Sequence, residues 1–144
     1  MILGVDTLYA QFVYSDMIYS PVIKTVKLES KNADLSLPIA RLGEYKSLIL
    51  KFDEIGEETN RYEYTIIHCN SDWTPSELEP YEYIEGFETE IIENFSNSFN
   101  TLCRYVHYEQ TIPSETMRPT KSGNYIIKVF HEGEPDKVIF TKKF

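Results

Sequence analysis

The residues whose types could do chemistry are His68, Cys69, Cys103 and His107. A thiol beside an imidazole can act as a nucleophile, and two thiols with two imidazoles can hold zinc. Their spacing argues against both. His68 and Cys69 are neighbours in a stretch of strand character, so they point to opposite faces and cannot both serve one centre. Cys103 and His107 can share a face, yet they lack C-x-x-C or H-x-x-x-H spacing. A reactive thiol also needs an electropositive surround, whereas this chain carries 23 acidic residues against 14 basic ones. A Cys69 to Cys103 disulfide stays open if they lie on neighbouring strands with Cα atoms within about 7 Å. The expectation is two separate, buried, poorly reactive thiols. No catalytic, cofactor-binding or metal-binding residue is assigned.

A second collection is acidic: Asp72, Glu77, Glu79, Glu82, Glu85, Glu88 and Glu90. The D-x-[DN]-x-[DN]-G spacing of a calcium loop is absent, and carboxylate pairs this common in an acidic chain do not by themselves indicate a glycosidase. A solvated face that keeps the protein dissolved accounts for them. Trp73, Tyr81, Tyr83 and Phe87 are interleaved with these acids. Rings in an irregular segment can anchor a protein partner, stack on sugars, or pin a long loop to the core. For Trp73 pinning is the favoured role, and for the tyrosines the choice stays open. These four are the candidate partner-binding residues. Neither a Gly-rich phosphate loop nor a G-x-S-x-G elbow is present.

The net charge of -9 disfavours phosphate backbones and anionic headgroups, so nucleic acid is an improbable partner. No apolar run approaches the roughly 20 residues that cross a bilayer, which points to membrane contact through a partner rather than direct insertion. The opening residues lack a basic region, and Asp6 interrupts their apolar stretch, so no signal peptide is read there.

The elements that must position these side chains are strands. Eleven Tyr, eight Phe and one Trp in 144 residues raise β propensity, and the length suits a single domain over 1–144. Residues 18–28, with Pro21 inside, read as an edge or bulged strand. In residues 47–53 Leu48, Leu50 and Phe52 alternate with Ile49 and Lys51. In 61–70 Tyr62, Tyr64, Ile66 and His68 alternate with Glu63, Thr65, Ile67 and Cys69. Gly56 and the acidic run 53–58 predict a hairpin between these two. Residues 71–99 lose periodicity, with helix-compatible spacing at Ile91, Ile92 and Phe95. Strand character returns over 102–112, and 124–131 with 137–143 predict a hairpin around 132–136. About seven strands without βαβ alternation imply an all-β, immunoglobulin-like antiparallel β-sandwich with an irregular insertion at about 71–99. Leu48, Leu50, Phe52, Ile127 and Val129 are expected to face its core. Gly123-Asn124-Tyr125 resembles the tyrosine corner of such sandwiches, in which the phenol bonds to backbone; plain core packing of Tyr125 is the alternative.

The blocks YEYTIIHCNSDWTPSELEPYEYIEGF (62–87), SFNTLCRYVHYEQTIP (98–113) and SGNYIIKVF (122–130) closely resemble the N-terminal domain of the type IX secretion system Plug protein family. IYSPVIKTVKL, SLILKFDEI and the closing TKKF fit the same pattern, so the resemblance covers 18–144. It implies a non-catalytic, periplasmic protein. Such a protein associates with the outer-membrane β-barrel translocon and its accessory subunits and seals that pore at rest; this chain would be the first domain of a longer protein. Cys69 falls within the HC-x-x-D-W block, whereas Cys103 is no part of the pattern, which weakens the case for a disulfide. The alternative from another class is a carbohydrate-binding β-sandwich module.

Overall fold

Leu48, Leu50, Phe52 and Glu54 are buried while the residues between them are not, and this period-2 burial builds two facing sheets. The computed structural model describes residues 14–32 and 37–144; the opening segment that Asp6 interrupts lies outside them. In chain order the elements are β1 (Met17–Ile18), β2 (Ile23–Ser30), β3 (Leu48–Ile55), β4 (Tyr62–Cys69), α1 (Pro80–Tyr83), β5 (Ile84–Gly86), β6 (Glu90–Ile91), β7 (Asn94–Asn97), β8 (Tyr105–Ile112), β9 (Met117–Pro119), β10 (Asn124–His131) and β11 (Glu134–Lys143). One sheet has the order β1-β11-β10-β4-β6 and the other β2-β3-β8-β7, with β5 and β9 forming a separate ribbon. All pairings are antiparallel, so the chain has the expected all-β sandwich architecture.

The expected hairpin between β3 and β4 does not form. β3 pairs with β2 and with β8, running from Leu48↔Ile112 to Ile55↔Tyr105, while β4 pairs with β10 and β6. The acidic run 53–58 therefore leads from one sheet to the other. Each of these strands carries its large buried side chains mainly on one face, and facing each other across the interior buries both sets. Phe52 of β3 meets Tyr62 of β4 with ring centroids 5.8 Å apart. The closing hairpin does form, and its turn is tighter than the spacing suggested, because His131 already pairs with Glu134.

Residues 71–99 contain more regular structure than their sequence pattern shows. The helix-compatible stretch at 88–95 is not helical: β6 extends the first sheet beside β4, and β7 extends the second beside β8. One segment thus supplies an edge to each layer. The helix lies earlier, at α1, where Pro80 opens it and the Glu79 N–H donates to Glu82 Oε2 at 2.7 Å. The stretch 18–28 is not one strand: Pro21 lies in the turn between β1, at the edge of the first sheet, and β2, at the edge of the second. The expected edge character is kept by β2, whose bulge between Lys24 and Lys27 disfavours further pairing.

Leu48, Leu50, Phe52, Ile127 and Val129 all reach the shared core, as their alternation requires. At its centre Phe52 stacks on Tyr108 at 4.8 Å and meets Phe140 edge-on at 4.9 Å, while Tyr62 meets Tyr108 edge-on at 5.3 Å. Glu54 is buried beside these rings and is satisfied locally. Its carboxylate accepts the Asn60 side-chain amide and lies 3.2 Å from the Tyr108 hydroxyl, which is 2.8 Å from the Asn60 carbonyl. Tyr108→Phe keeps the stacked ring but deprives the buried carboxylate and the Asn60 backbone of a partner. The expected cost is about 1–3 kcal/mol of stability, read as a lower urea midpoint with unchanged slope.

Candidate functional site

The irregular segment begins in a turn whose residues hold one another. The Asn70 N–H donates to the Thr74 carbonyl at 2.8 Å and the Trp73 N–H to the Asn70 carbonyl at 3.0 Å. Asp72 Oδ1 accepts both the Thr74 N–H and its hydroxyl, at 3.1 and 2.6 Å, and these bonds hold the Asp72 pKa below its ordinary value. Asn124 ties this turn to β10 by donating to the Asn70 and Ser71 carbonyls. Within it Trp73 adopts φ +66°, a left-handed conformation that costs a bulky residue on the order of 1–2 kcal/mol. Its ring is half-buried beneath the Lys143 ammonium, 4.5 Å from the centroid.

The four candidate rings separate into different environments. Tyr83 is only 4 % exposed, and its hydroxyl donates to the Ile66 carbonyl at 3.3 Å. It pins α1 to β4 and presents no ring to a partner, so the partner-binding expectation is corrected at this position. Truncating it would remove core packing at a cost of roughly 3 kcal/mol. Tyr81 and Phe87, by contrast, are 76 % and 65 % exposed. Tyr81 lies in α1 and Phe87 directly follows β5, and the ribbon of β5 with β9 anchors the segment between them. Gly86 is obligatory there: its φ is +107°, and a Cβ would collide with the Thr116 carbonyl oxygen. Among the described residues neither Tyr81 nor Phe87 packs against another ring.

Of the acids, Glu90 is built in: it accepts hydrogen bonds from Tyr64, Ser114 and Thr116. Glu85 pairs with Arg118 across the ribbon at 3.0 Å, and Glu77, Glu79, Glu82, Glu85 and Glu88 are exposed. Tyr125 makes the expected corner bond, donating to the Lys121 carbonyl at 2.6 Å, while burial pushes its pKa up to about 12. Gly123 before it has φ +141°, and a Cβ there would lie 2.7 Å from His68 Nε2.

The thiols and imidazoles do not converge on one centre. His68 Nε2 donates to the Ser122 carbonyl at 3.1 Å, between the Tyr83 and Tyr125 rings. His107 Nδ1 meets Asp53 at 2.6 Å and Nε2 meets Glu109 at 3.1 Å. Burial opposes its charge, yet the bonds to these two carboxylates outweigh that and raise its pKa. This ion-paired group is therefore complete in mildly acid solution and weakens as pH rises through the raised value. Among the described residues no three His, Cys, Asp or Glu are grouped as a metal site requires. Cys69 and Cys103 are both free. Cys69 is buried, and desolvation pushes its thiol up to about 11 against a partial opposing pull from Lys143. Cys103 departs from expectation: it lies in the exposed turn before β8, because the strand begins only at Tyr105. A thiol-disulfide reagent at pH 8 should therefore titrate one thiol per chain rapidly in native protein and the second only in denaturant. Two rapid thiols, or none, would contradict this placement.

Comparison with known proteins places the chain. No curated protein matches it. It is similar to the crystal structure of a hypothetical protein from Parabacteroides merdae ATCC 43184, with a TM-score of 0.86 and 36% identity. That match covers 93% of this chain and 34% of the other, so this chain spans about a third of its relative's length. Residues 23–144, from the first residue of β2 to the last of the chain, match the family described as type 9 secretion system plug protein 1st domain. The all-β sandwich, its interleaved acidic and aromatic segment and this match agree, and the chain belongs to the family of type 9 secretion system plug protein first domains.

Proposed function

We propose that this chain is a non-catalytic protein-interaction domain of a longer, periplasmic plug protein, which seals the outer-membrane translocon of the type IX secretion system. The family match over residues 23–144 carries the reading. A barrel wide enough to pass folded proteins leaks unless a body covers it at rest, and that body must leave when substrate arrives. Such a task calls for a rigid scaffold with reversible surface contacts. A sandwich whose aromatic core is closed, and whose net charge of -9 favours solubility, suits the role.

In this reading Tyr81 and Phe87 are the contacts with the translocon or its accessory subunits, with Trp73 supporting the turn beside them. Exposed aromatic side chains on an anchored segment can be buried by a partner at little ordering cost, and the surrounding glutamates orient the approach. Tyr81→Ala with Phe87→Ala in the natural protein should weaken its co-purification with a very large β-barrel from solubilised outer membrane by about tenfold or more. The melting temperature should move by less than about 2 °C, because both rings stand outside the core. Normal co-purification of the double variant would sink the assignment of the surface, and purification of the wild type without any such barrel would sink the function.

A further inference from the structure

A cleft of about 600 Å³ opens beside the HC-x-x-D-W turn, and neither Tyr81 nor Phe87 lines it. Its apolar floor includes Tyr125 and Phe144, whose rings stack at 5.2 Å, and the strained Trp73 forms part of its wall. Another wall is the 37–45 segment, where Leu37, Ile39, Leu42 and Tyr45 are between 50% and 75% exposed. Large apolar side chains standing in water around a concavity mark a binding surface more often than a bare face.

The charge of the cleft is opposite to that of the chain. Acids outnumber bases 23 to 14 overall, yet Arg41, Arg118, Lys121 and Lys143 line this cleft against only Glu44 and Glu85. Arg118 is engaged by Glu85, but its Nε–H is buried with no hydrogen-bond partner among the described residues, an unmet donor at the cleft wall. Lys143 lies over Trp73. Arg41 and Lys121 are exposed and enter no ion pair among the described residues. A basic rim over an apolar floor selects an occupant that is both apolar and anionic.

We propose that this cleft docks an extended segment of a partner protein, which places an aromatic or aliphatic side chain against Tyr125 and Phe144 and carboxylates against Arg41 and Lys121. The site goes beyond the translocon contact proposed above and uses none of its exposed rings, so either can fail without the other. A second copy of the chain is disfavoured as occupant, because two bodies of charge -9 repel.

The test is a titration of isotope-labelled protein with three acetylated peptides, followed by NMR. The first is Glu-Asp-Phe-Asp-Leu-Glu, the second has lysines in place of its acids, and the third has serines in place of its Phe and Leu. Only the first should shift the Trp73 indole and the Gly123 and Asn124 amides. The Arg41→Glu, Lys121→Glu variant should weaken that binding by about tenfold, and added salt should weaken it too. Both positions are exposed, and a thermal melt confirms that the variant folds; Arg41→Gln serves if it does not. Absence of these shifts, equal binding of the lysine peptide, or unchanged affinity in the variant would overturn the proposal. So would concentration-dependent self-association that Arg41→Glu abolishes, which would assign the cleft to a second copy.

Discussion

Phe52, Tyr62, Tyr108 and Phe140 hold the two sheets at one separation, and the rest of the structure depends on that contact. Each comes from a different strand, two from each sheet, and their edge-on and stacked geometries satisfy the ring quadrupoles while excluding water. Each buried ring contributes roughly 2–3 kcal/mol through area alone, so a few of them rival the whole net stability of a domain this size. The hydroxyls are what make the arrangement specific. Tyr108 joins the core to Glu54 and to Asn60, and so fixes the crossing from one sheet to the other at the place where a hairpin would otherwise compete.

With the sandwich set in this way, the segment between β4 and β8 can serve two purposes. Its short strands finish an edge of each sheet, and its helix and ribbon are anchored by Tyr83 and by the pairing of β5 with β9. What remains free of structural duty is carried outward on a rigid base. Tyr81 and Phe87 are in that position. Affinity between proteins depends more on such pre-ordering than on area, because a partner then has little chain entropy to remove.

Local pattern made some of this legible in the sequence and left the rest hidden. Alternation is a property of neighbours along the chain, so the inward faces of β3 and β10 could be read directly. Which strand pairs with which is not local: the residues at 53–58 are compatible both with a hairpin and with a crossing between sheets, and only the partnership of β3 with β8 decides. Two-residue and four-residue strands are too short to display a period, so β6 and β7 imitated a helix through Ile91, Ile92 and Phe95. The true helix did leave a trace in Glu79-Pro80-Tyr81-Glu82, a proline start with a glutamate placed to bond back. Tyr83 follows it without any alternation to reveal its burial. The basic cleft was invisible for a related reason, since Arg41, the pair Arg118 and Lys121, and Lys143 come from three separate stretches that only the fold assembles.

In the proposed function the sandwich is a scaffold and the segment carried on it meets the translocon. The most direct measurement is in-cell photo-crosslinking from a single reactive residue installed in the natural protein, first at Phe87 and then, as comparison, at Lys24 on the bulged β2 edge. The account predicts an adduct with a very large outer-membrane barrel or its accessory subunits from Phe87 and none from Lys24. Adducts from Lys24 alone, or no adduct from Phe87 in cells where the protein co-purifies with the barrel, would contradict it.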